Sequence, residues 1–259
     1  MTVSASKVAV SPVEPFASLR WPTDIVDRAA KQVLATAAAE RVAAALRSSG
    51  PPAPRVGLGS GSTSFLTLRT LADARPDLPS DMEIVATSYE MEWYAAAAGF
   101  PVVDLGTGSV VVAFDGADQV DPGGALVKGR GGAMHRERAV LAAADLELIV
   151  ADATKRVSQL GGCPLPLVLR PAGIFDCVRA VESIGAGPVV LRAGTGKDGP
   201  VLTESGGVLA DLLVPGDVVV TDGLDGSIRA VAGVMDTCPR LTLRSPGWSL
   251  AIMSLAVLS

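Results

Sequence analysis

The sequence predicts an α/β fold: a doubly wound parallel sheet, followed by a smaller α+β domain. Three observations carry this. Strand-like apolar runs alternate with helical patterns from residue 24 to residue 152. The strand runs are apolar on both faces, as strands of a covered parallel sheet are. After Gly161 the elements shorten, and hairpin signals such as ESGG appear between them.

Taken in order, residues 1–22 carry Ser, Ala, Val and Pro without a period and read as a loose arm. DIVDRAAKQVLATAAAERVAAAL, from Asp24 to Leu46, is alanine-rich with spaced Ile, Val and Leu, which predicts a helix. Ser48 to Pro54 breaks it. RVGLGSGSTSFLTLRTLADA is a strand, a glycine loop and a helix. MEIVATS is the next strand, and YEMEWYAAAAG is a helix closed by Gly99. PVVDL and SVVVAFDGAD supply two further apolar runs. Gly129 to Ala133 opens the helix RERAVLAAA, and the strand LELIVAD follows. Beyond it, CPLPLVLRPAGIFDCVRAVESIG reads as strand, turn and helix. PVVLRAG, PVLTESGGVLADLLV and VVVTDG are shorter strands, and GSIRAVAGVMD reads as a helix. The expected organisation is an arm over 1–22, a Rossmann-like catalytic domain over 23–164, and a small ferredoxin-like α+β domain over 165–239.

The chain has 259 residues, 49% hydrophobic and 19% charged, enough for one large or two small domains. Its net charge of −5 excludes the clustered basic surface of a nucleic-acid-binding protein. A small anionic ligand stays open, because a few local cations and backbone amides suffice for it. Cys163, Cys177 and Cys238 form no CxxC pair and no pattern with His135, so no zinc site is expected. An odd thiol count without a secretory leader points to a reducing cytoplasm. No run reaches the roughly 18 apolar residues that a membrane span needs.

The stretch from Val112 to Lys155 concentrates the chemistry. Asp115 ends an apolar run, where ligands sit in open α/β sheets, and Asp118 follows three residues on. Both can face one pocket, or simply bond their own turn. Lys128 leads into Gly129, Arg130, Gly131 and Gly132, a cation beside amides that can hold a developing oxyanion. Glu137 lies about a turn into the next helix, where a carboxylate can act as a general base or pair with neighbouring arginines. His135 is two residues earlier and belongs to another helix face. Upstream, GLGSGST (Gly57 to Thr63) brings glycines and hydroxyls to a helix start, as an anion cradle does. It is neither a Walker loop nor a dinucleotide fingerprint. A tight turn with a hydroxyl cap explains it equally well. Lys155, beyond the strand LELIV, can reach the same sheet edge.

Together these blocks resemble the ribose-5-phosphate isomerase family of the A type, from about Lys31 to about Pro166. GLGSGST is similar to that family's GxGTGST loop, Thr87-Ser88 to its TS step, and DGADQ to its DGADE. KGRGGAMHRER is similar to KGGGGAxxREK, and DATKRVSQLGGCPLPLVL to D-x-SK followed by LGxFPLPVEV. A weaker echo lies at LTESGGVLADL. The resemblance implies interconversion of D-ribose 5-phosphate and D-ribulose 5-phosphate through an enediolate, with no metal or cofactor. It implies Glu137 as the base, and Lys128 with the amides of Gly129 to Gly131 as the oxyanion group. Asp115 and Asp118, with Gly116 and Ala117 between them, would handle sugar hydroxyls and ring opening. Ser60, Gly61, Ser62, Thr63, Lys155 and Lys31 would cradle the phosphate. It also implies a last strand returning to the first domain from 240–259, and a homodimer or homotetramer.

Departures from the pattern are Arg130 for a glycine, Gln119 for an acidic residue and Arg138 for a lysine. If position 130 needs a positive φ, arginine costs roughly 1 kcal/mol there. The ending SPGWSLAIMSLAVLS does not match the family's closing VxxG segment. An isomerase acting on another sugar phosphate is one alternative. A non-catalytic sugar-phosphate sensor is a second, opposed by the acidic chain and the lack of a helix-turn-helix. A CoA-transferase-like enzyme with a covalent glutamate is a third, opposed by the DGAD and KGRGG blocks.

Overall fold

The structure, a computed structural model, describes residues 19–48, 53–74, 78, 81–106, 108–196, 198–216, 218–237, 241–242 and 249–253. Most of the expected N-terminal arm, Cys238 and Trp248 lie outside these residues. The first half of the chain runs α1 (Arg28–Ser48), β1 (Arg55–Leu58), α2 (Ser62–Asp73), β2 (Glu83–Ala86), α3 (Tyr89–Ala97) and β3 (Val110–Asp115). A short hairpin, β4 (Gln119–Val120) and β5 (Ala125–Val127), precedes α4 (Met134–Ala142) and β6 (Ala144–Asp152). Then come β7 (Pro164–Leu169), α5 (Ile174–Glu182), β8 (Val189–Leu191), β9 (Val208–Leu213), α6 (Asp222–Arg229) and β10 (Val234–Thr237). β11 (Leu241–Thr242) and β12 (Ser249–Met253) close the described chain.

Five strands form one parallel sheet in the order β12-β6-β3-β1-β2. Helices α1, α2 and α3 cover one face, where Leu34, Val42, Phe65, Leu68 and Tyr94 pack on Leu58, Ile84, Val112, Phe114 and Leu148. On the other face Val140 and Leu141 of α4 meet Val85, Ala113 and Ile149. The strands are therefore buried on both sides, which is why they read as unbroken apolar runs. Each fully buried side chain of this size contributes about 1.5–3 kcal/mol.

The second sheet is antiparallel, in the order β10-β7-β9-β8. The chain order β7-α5-β8-β9-α6-β10 makes it a βαββαβ unit of the ferredoxin-like type. Alternation decides its faces. Leu165, Leu167 and Leu169 of β7 turn to Cys177, Val181 and Ile228 under the helices. Val168, with Leu209 of β9, instead packs on Met134 of α4 and joins the two sheets.

Local differences from the sequence reading have local causes. The first helix starts at Arg28, not Asp24, because Asp27 takes a φ of 52°, outside the right-handed path. PVVDL gives one bridge, Val102 to Ile84, rather than a strand. VVVTDG likewise gives one bridge, Val219 to Gly161. GSIRAVAGVMD is not one helix. The Thr221 hydroxyl accepts from the Leu224 amide and starts α6 earlier, while Gly233, at a φ of 99°, turns the chain so that Val234–Thr237 joins β7 as β10. Gly99 does close α3. Its amide and that of Phe100 bond back to Ala96 and Ala95, and its φ is 80°.

Candidate active site

β3 ends at Asp115, at the carboxyl edge of the parallel sheet. The chain then doubles back through β4 and β5. Asp121 holds that reversal, its Oδ1 accepting the Ala125 amide at 2.9 Å. The hairpin returns Lys128 to the end of β3, twelve residues after Gly116, and its Nζ donates to the Gly116 carbonyl. Gly129 at a φ of 93° and Gly132 at 87° bend the chain into α4, whose first turn carries Glu137. Gly59 leaves the space for Asp115: a Cβ there would lie 2.3 Å from the Asp115 carboxyl carbon.

Three charged side chains thus meet in the interior. Lys128 Nζ lies 3.0 Å from Asp115 Oδ2 and 3.3 Å from Glu137 Oε2, with side-chain exposures of 4%, 2% and 7%. Both of those carboxylate oxygens are buried without an aligned hydrogen-bond donor. Burial pushes the Glu137 carboxyl up to about 7. The negative charge of Asp115 adds to the rise and Lys128 opposes it. Burial also raises Asp115, against Lys128 and the amides of Gly116 and Ser60. Burial raises both carboxyls against one ammonium, and the titration belongs to the group rather than to either residue. A carboxylate poised near 7 suits proton abstraction, and an adjacent ammonium suits the oxyanion that follows.

A second cluster lies at the start of α2. Its N-cap is Gly61, at a φ of 93°, with no side-chain cap and no acidic residue in the first turn. In contrast, α3 and α6 are capped by Ser88 and Thr221. The uncapped amides, with the Ser62 and Thr63 hydroxyls, make a ready anion site. Lys31 of α1 donates to Ser62 Oγ at 3.2 Å. At the end of β6, burial works to raise Asp152. The Thr154 hydroxyl and amide, then Lys155 and Lys31, outweigh it and hold the carboxyl below the ordinary range. Lys31 and Lys155 therefore both lie near one carboxylate beside this helix start. Ser60 turns its hydroxyl to Thr87 Oγ1 at 2.7 Å.

The structure thus brings Asp115, Lys128 and Glu137 into contact, with Asp118 close enough to add to the Glu137 rise. Glu137 pairs with Lys128, while Arg136 and Arg138 pair elsewhere. Asp118 is part-exposed and accepts the Arg130 amide at 3.2 Å, so that amide of the glycine cluster is already engaged. The conditional strain at Arg130 is absent, since among described residues only Leu19, Asp27 and Ala53 are non-glycines with positive φ. Its side chain is 88% exposed and 3.7 Å from Asp118. Gln119 bonds the Gly161 carbonyl at 2.8 Å and amide at 3.1 Å, a tie between loops that an acidic residue could not make from both ends. His135 sits outside the cluster, 3.5 Å from Asp236. Sequence reasoning passed over Arg136 and Glu204, which lie on separate halves of the chain. The ESGG turn was their one visible signal.

Among the described residues no group of three or more His, Cys, Asp or Glu is arranged to hold a metal ion, and no helix is long and apolar enough to cross a membrane. A family model described as ribose 5-phosphate isomerase A (phosphoriboisomerase A) matches residues 83–239. The chain is 39% identical over 210 residues to ribose-5-phosphate isomerase A of Prochlorococcus marinus, covering 80% of this chain and 84% of that one. It is 41% identical over 182 residues to the protein of the same name from Halobacterium salinarum, covering 70% and 77%. A solved ribose 5-phosphate isomerase A from Methanocaldococcus jannaschii superposes with a TM-score of 0.74 at 28% identity, over 87% of this chain and 95% of that one. A solved D-ribose-5-phosphate isomerase in complex with phospho-erythronic acid gives 0.72, also at 28% identity, over 86% and 95%.

Proposed function

This chain belongs to the ribose 5-phosphate isomerase A family, and from that membership we infer its reaction and the work of each group in it. It is an aldose–ketose isomerase that interconverts D-ribose 5-phosphate and D-ribulose 5-phosphate. The observation that carries the residue roles is the buried Lys128 ammonium within 3.3 Å of both the Asp115 and Glu137 carboxylates.

In the proposed path, Glu137 takes the proton from C2 of the open-chain aldose. The electron pair moves onto the C1 oxygen, giving an enediolate that Lys128 stabilises. Glu137 then returns the proton to C1, while the O2 hydroxyl proton passes to the C1 oxygenate, so that C2 becomes the ketone and C1 the primary alcohol. Asp115 and Asp118 bond the sugar hydroxyls and move protons during ring opening. The phosphate sits on the α2 start with Ser60, Gly61, Ser62 and Thr63, between Lys31 and Lys155. Anchoring it there keeps the reacting carbons against Glu137, which is worth several kcal/mol of orientation.

We divide the chain into a catalytic unit over 23–164, with 240–259 returning to it, and a small unit over 165–239. The pairing of β12 with β6 supports this. Membership of the family supports a role in the non-oxidative pentose phosphate branch. The free thiols Cys163 and Cys177 support a cytoplasmic home. Exposed Val190, Leu213 and Met235 on the small sheet support assembly into a homodimer or homotetramer.

The test is ketose formation from ribose 5-phosphate by the wild type and Glu137→Gln. Loss of the base lowers kcat by roughly 10²- to 10⁴-fold. Equal rates in the two proteins would sink the assignment of Glu137.

A further inference from the structure

Arg136 immediately precedes Glu137 on α4, and its guanidinium is held outside the carboxylate pocket. It donates to Glu92 of α3, to the Ala86 carbonyl at the end of β2 at 3.3 Å, and to Glu204 Oε2 at 3.0 Å. The Tyr89 ring lies under it, 4.9 Å from the guanidinium carbon. Glu204 comes from the other sheet, at the tip of the hairpin leading into β9. That tip is a fixed turn, closed by the Gly206 amide on the Thr203 carbonyl at 2.9 Å and the Gly207 amide on the Thr203 hydroxyl at 3.1 Å.

The same Glu204 carboxylate accepts the Tyr89 amide on both oxygens, at 3.0 and 2.9 Å. Tyr89 opens α3, so the carboxylate also faces that helix's positive end. The residue before Tyr89 is the cap Ser88, and Thr87 before it meets the Ser60 hydroxyl of the phosphate loop. One carboxylate therefore touches the helix carrying Glu137 and the segment on which Ser60 leans. Glu90 faces it as well, its carboxyl raised by burial and then by Glu204. A lone ion pair of this partial exposure would count for little. Here the pair spans two sheets and ends on a backbone amide.

We propose that Glu204 is a positioning residue, a brace from the small sheet that holds the base-bearing helix in register with the phosphate loop. The proposal rests on Glu137 being the base. Its consequence is that the second sheet contributes to catalysis without touching substrate: with the phosphate fixed at one end, a shift of α4 moves the base off the reacting carbons. Misplacement by about 1 Å costs up to about 10²-fold.

The experiment measures kcat and KM for ribose 5-phosphate from about pH 6 to 9 in the wild type, Glu204→Ala and Glu204→Gln, with melting temperature as a control. Glu204→Ala is expected to lower kcat about tenfold with KM within about threefold, and to move the apparent pKa of the rising limb. The limb is the decisive readout. Asp115, Lys128 and Asp118 are the charges that act on Glu137, while Glu204 faces Arg136 and the Tyr89 amide, so a moved limb together with a lowered kcat reports a displaced Glu137. Glu204→Gln keeps an acceptor for the Tyr89 amide but loses the charge facing Arg136. Its kcat falls by about threefold, with a shift in the same direction. Folded variants with wild-type kcat and limb, or with a change in KM alone, overturn the brace. If Glu204→Ala does not fold, Glu204→Gln decides on the same criteria. A wild type that turns over but shows no limb near neutral pH defeats the base assignment and the brace with it. A wild type with that limb, matched by both variants, defeats the brace alone.

Discussion

Lys128 is 4% exposed and sits between two buried carboxylates, whereas Lys31 is half-buried and donates to a hydroxyl at a helix start. Both ammonium groups belong to the proposed site. Around Lys128, water is excluded, so each charge is felt strongly by its neighbours, and the Glu137 carboxyl is pushed up to about 7. Around Lys31 and Lys155, solvent screens the charges and the helix amides share the work. In the proposed mechanism the inner pocket therefore handles changes of protonation, and the outer rim holds an anion whose charge does not change in the reaction. The two regions should differ in what a mutation there disturbs.

The largest expected contrast is in stability against pH. The folded-state pKa of Glu137, about 7, lies above its ordinary value of 4.5. A group raised in this way contributes stability that is fully present below about 4.5 and is lost as pH rises through about 7. Its loss is of the order of 3 kcal/mol if the whole shift is realised. Glu137→Gln removes the titration and leaves Lys128 with Asp115 alone. The variant should melt several degrees above the wild type at about pH 8.5 and differ less at about pH 5. Parallel Tm–pH curves for the two proteins would show that Glu137 is not protonated in the folded pocket. The proposed base would then have no raised pKa, and the contrast with the rim would collapse.

The rim should respond in KM. Lys31→Ala removes one cation from the helix start, where Ser62, Thr63 and Lys155 stay. KM for ribose 5-phosphate is expected to rise about tenfold, roughly 1.4 kcal/mol of binding, with kcat changed less. Added salt should narrow the gap between variant and wild type, because screening already weakens a half-buried cation at the rim. A fall in kcat with unchanged KM would place Lys31 with the chemistry rather than the anchor.

The same division explains what was legible in the sequence. Apolar runs buried on both faces announced the parallel sheet, because burial on two sides leaves one kind of pattern. Asp115, Lys128 and Glu137 were legible as candidates because they stand at a strand end, before a glycine cluster and at a helix start, although turn and surface-pair readings fitted them too. Their contact was not legible. It depends on the β4–β5 hairpin returning Lys128 to Asp115, which is tertiary geometry. The break of GSIRAVAGVMD into helix and strand was hidden too. A cap at Thr221 and a positive φ at Gly233 outweigh the helical look of its middle. Glu204 showed only as part of a turn, and its contacts were illegible for a plainer reason: its partners, Tyr89 and Arg136, are 115 and 68 residues away.

Arg130 stands between the two regions, and it should give the smallest effect. It occupies a place where the family pattern has glycine, but its backbone avoids the left-handed region that would make arginine costly. Its side chain is 88% exposed and reaches Asp118 only at 3.7 Å. Arg130→Gly therefore removes a solvent-screened pair worth about 0–1 kcal/mol and adds chain freedom costing about 0.5–1 kcal/mol. A melting temperature lower by a few degrees is expected, with kcat unchanged and kcat/KM within about threefold. What remains of the effect on kcat/KM should shrink further in salt, since an exposed cation acts on a phosphorylated substrate at long range. The Arg130 amide is donated to Asp118, an interaction glycine keeps, so the loop itself should hold. A loss of kcat by tenfold or more would mean that the guanidinium enters the pocket when substrate binds, and position 130 would move from the rim to the chemistry.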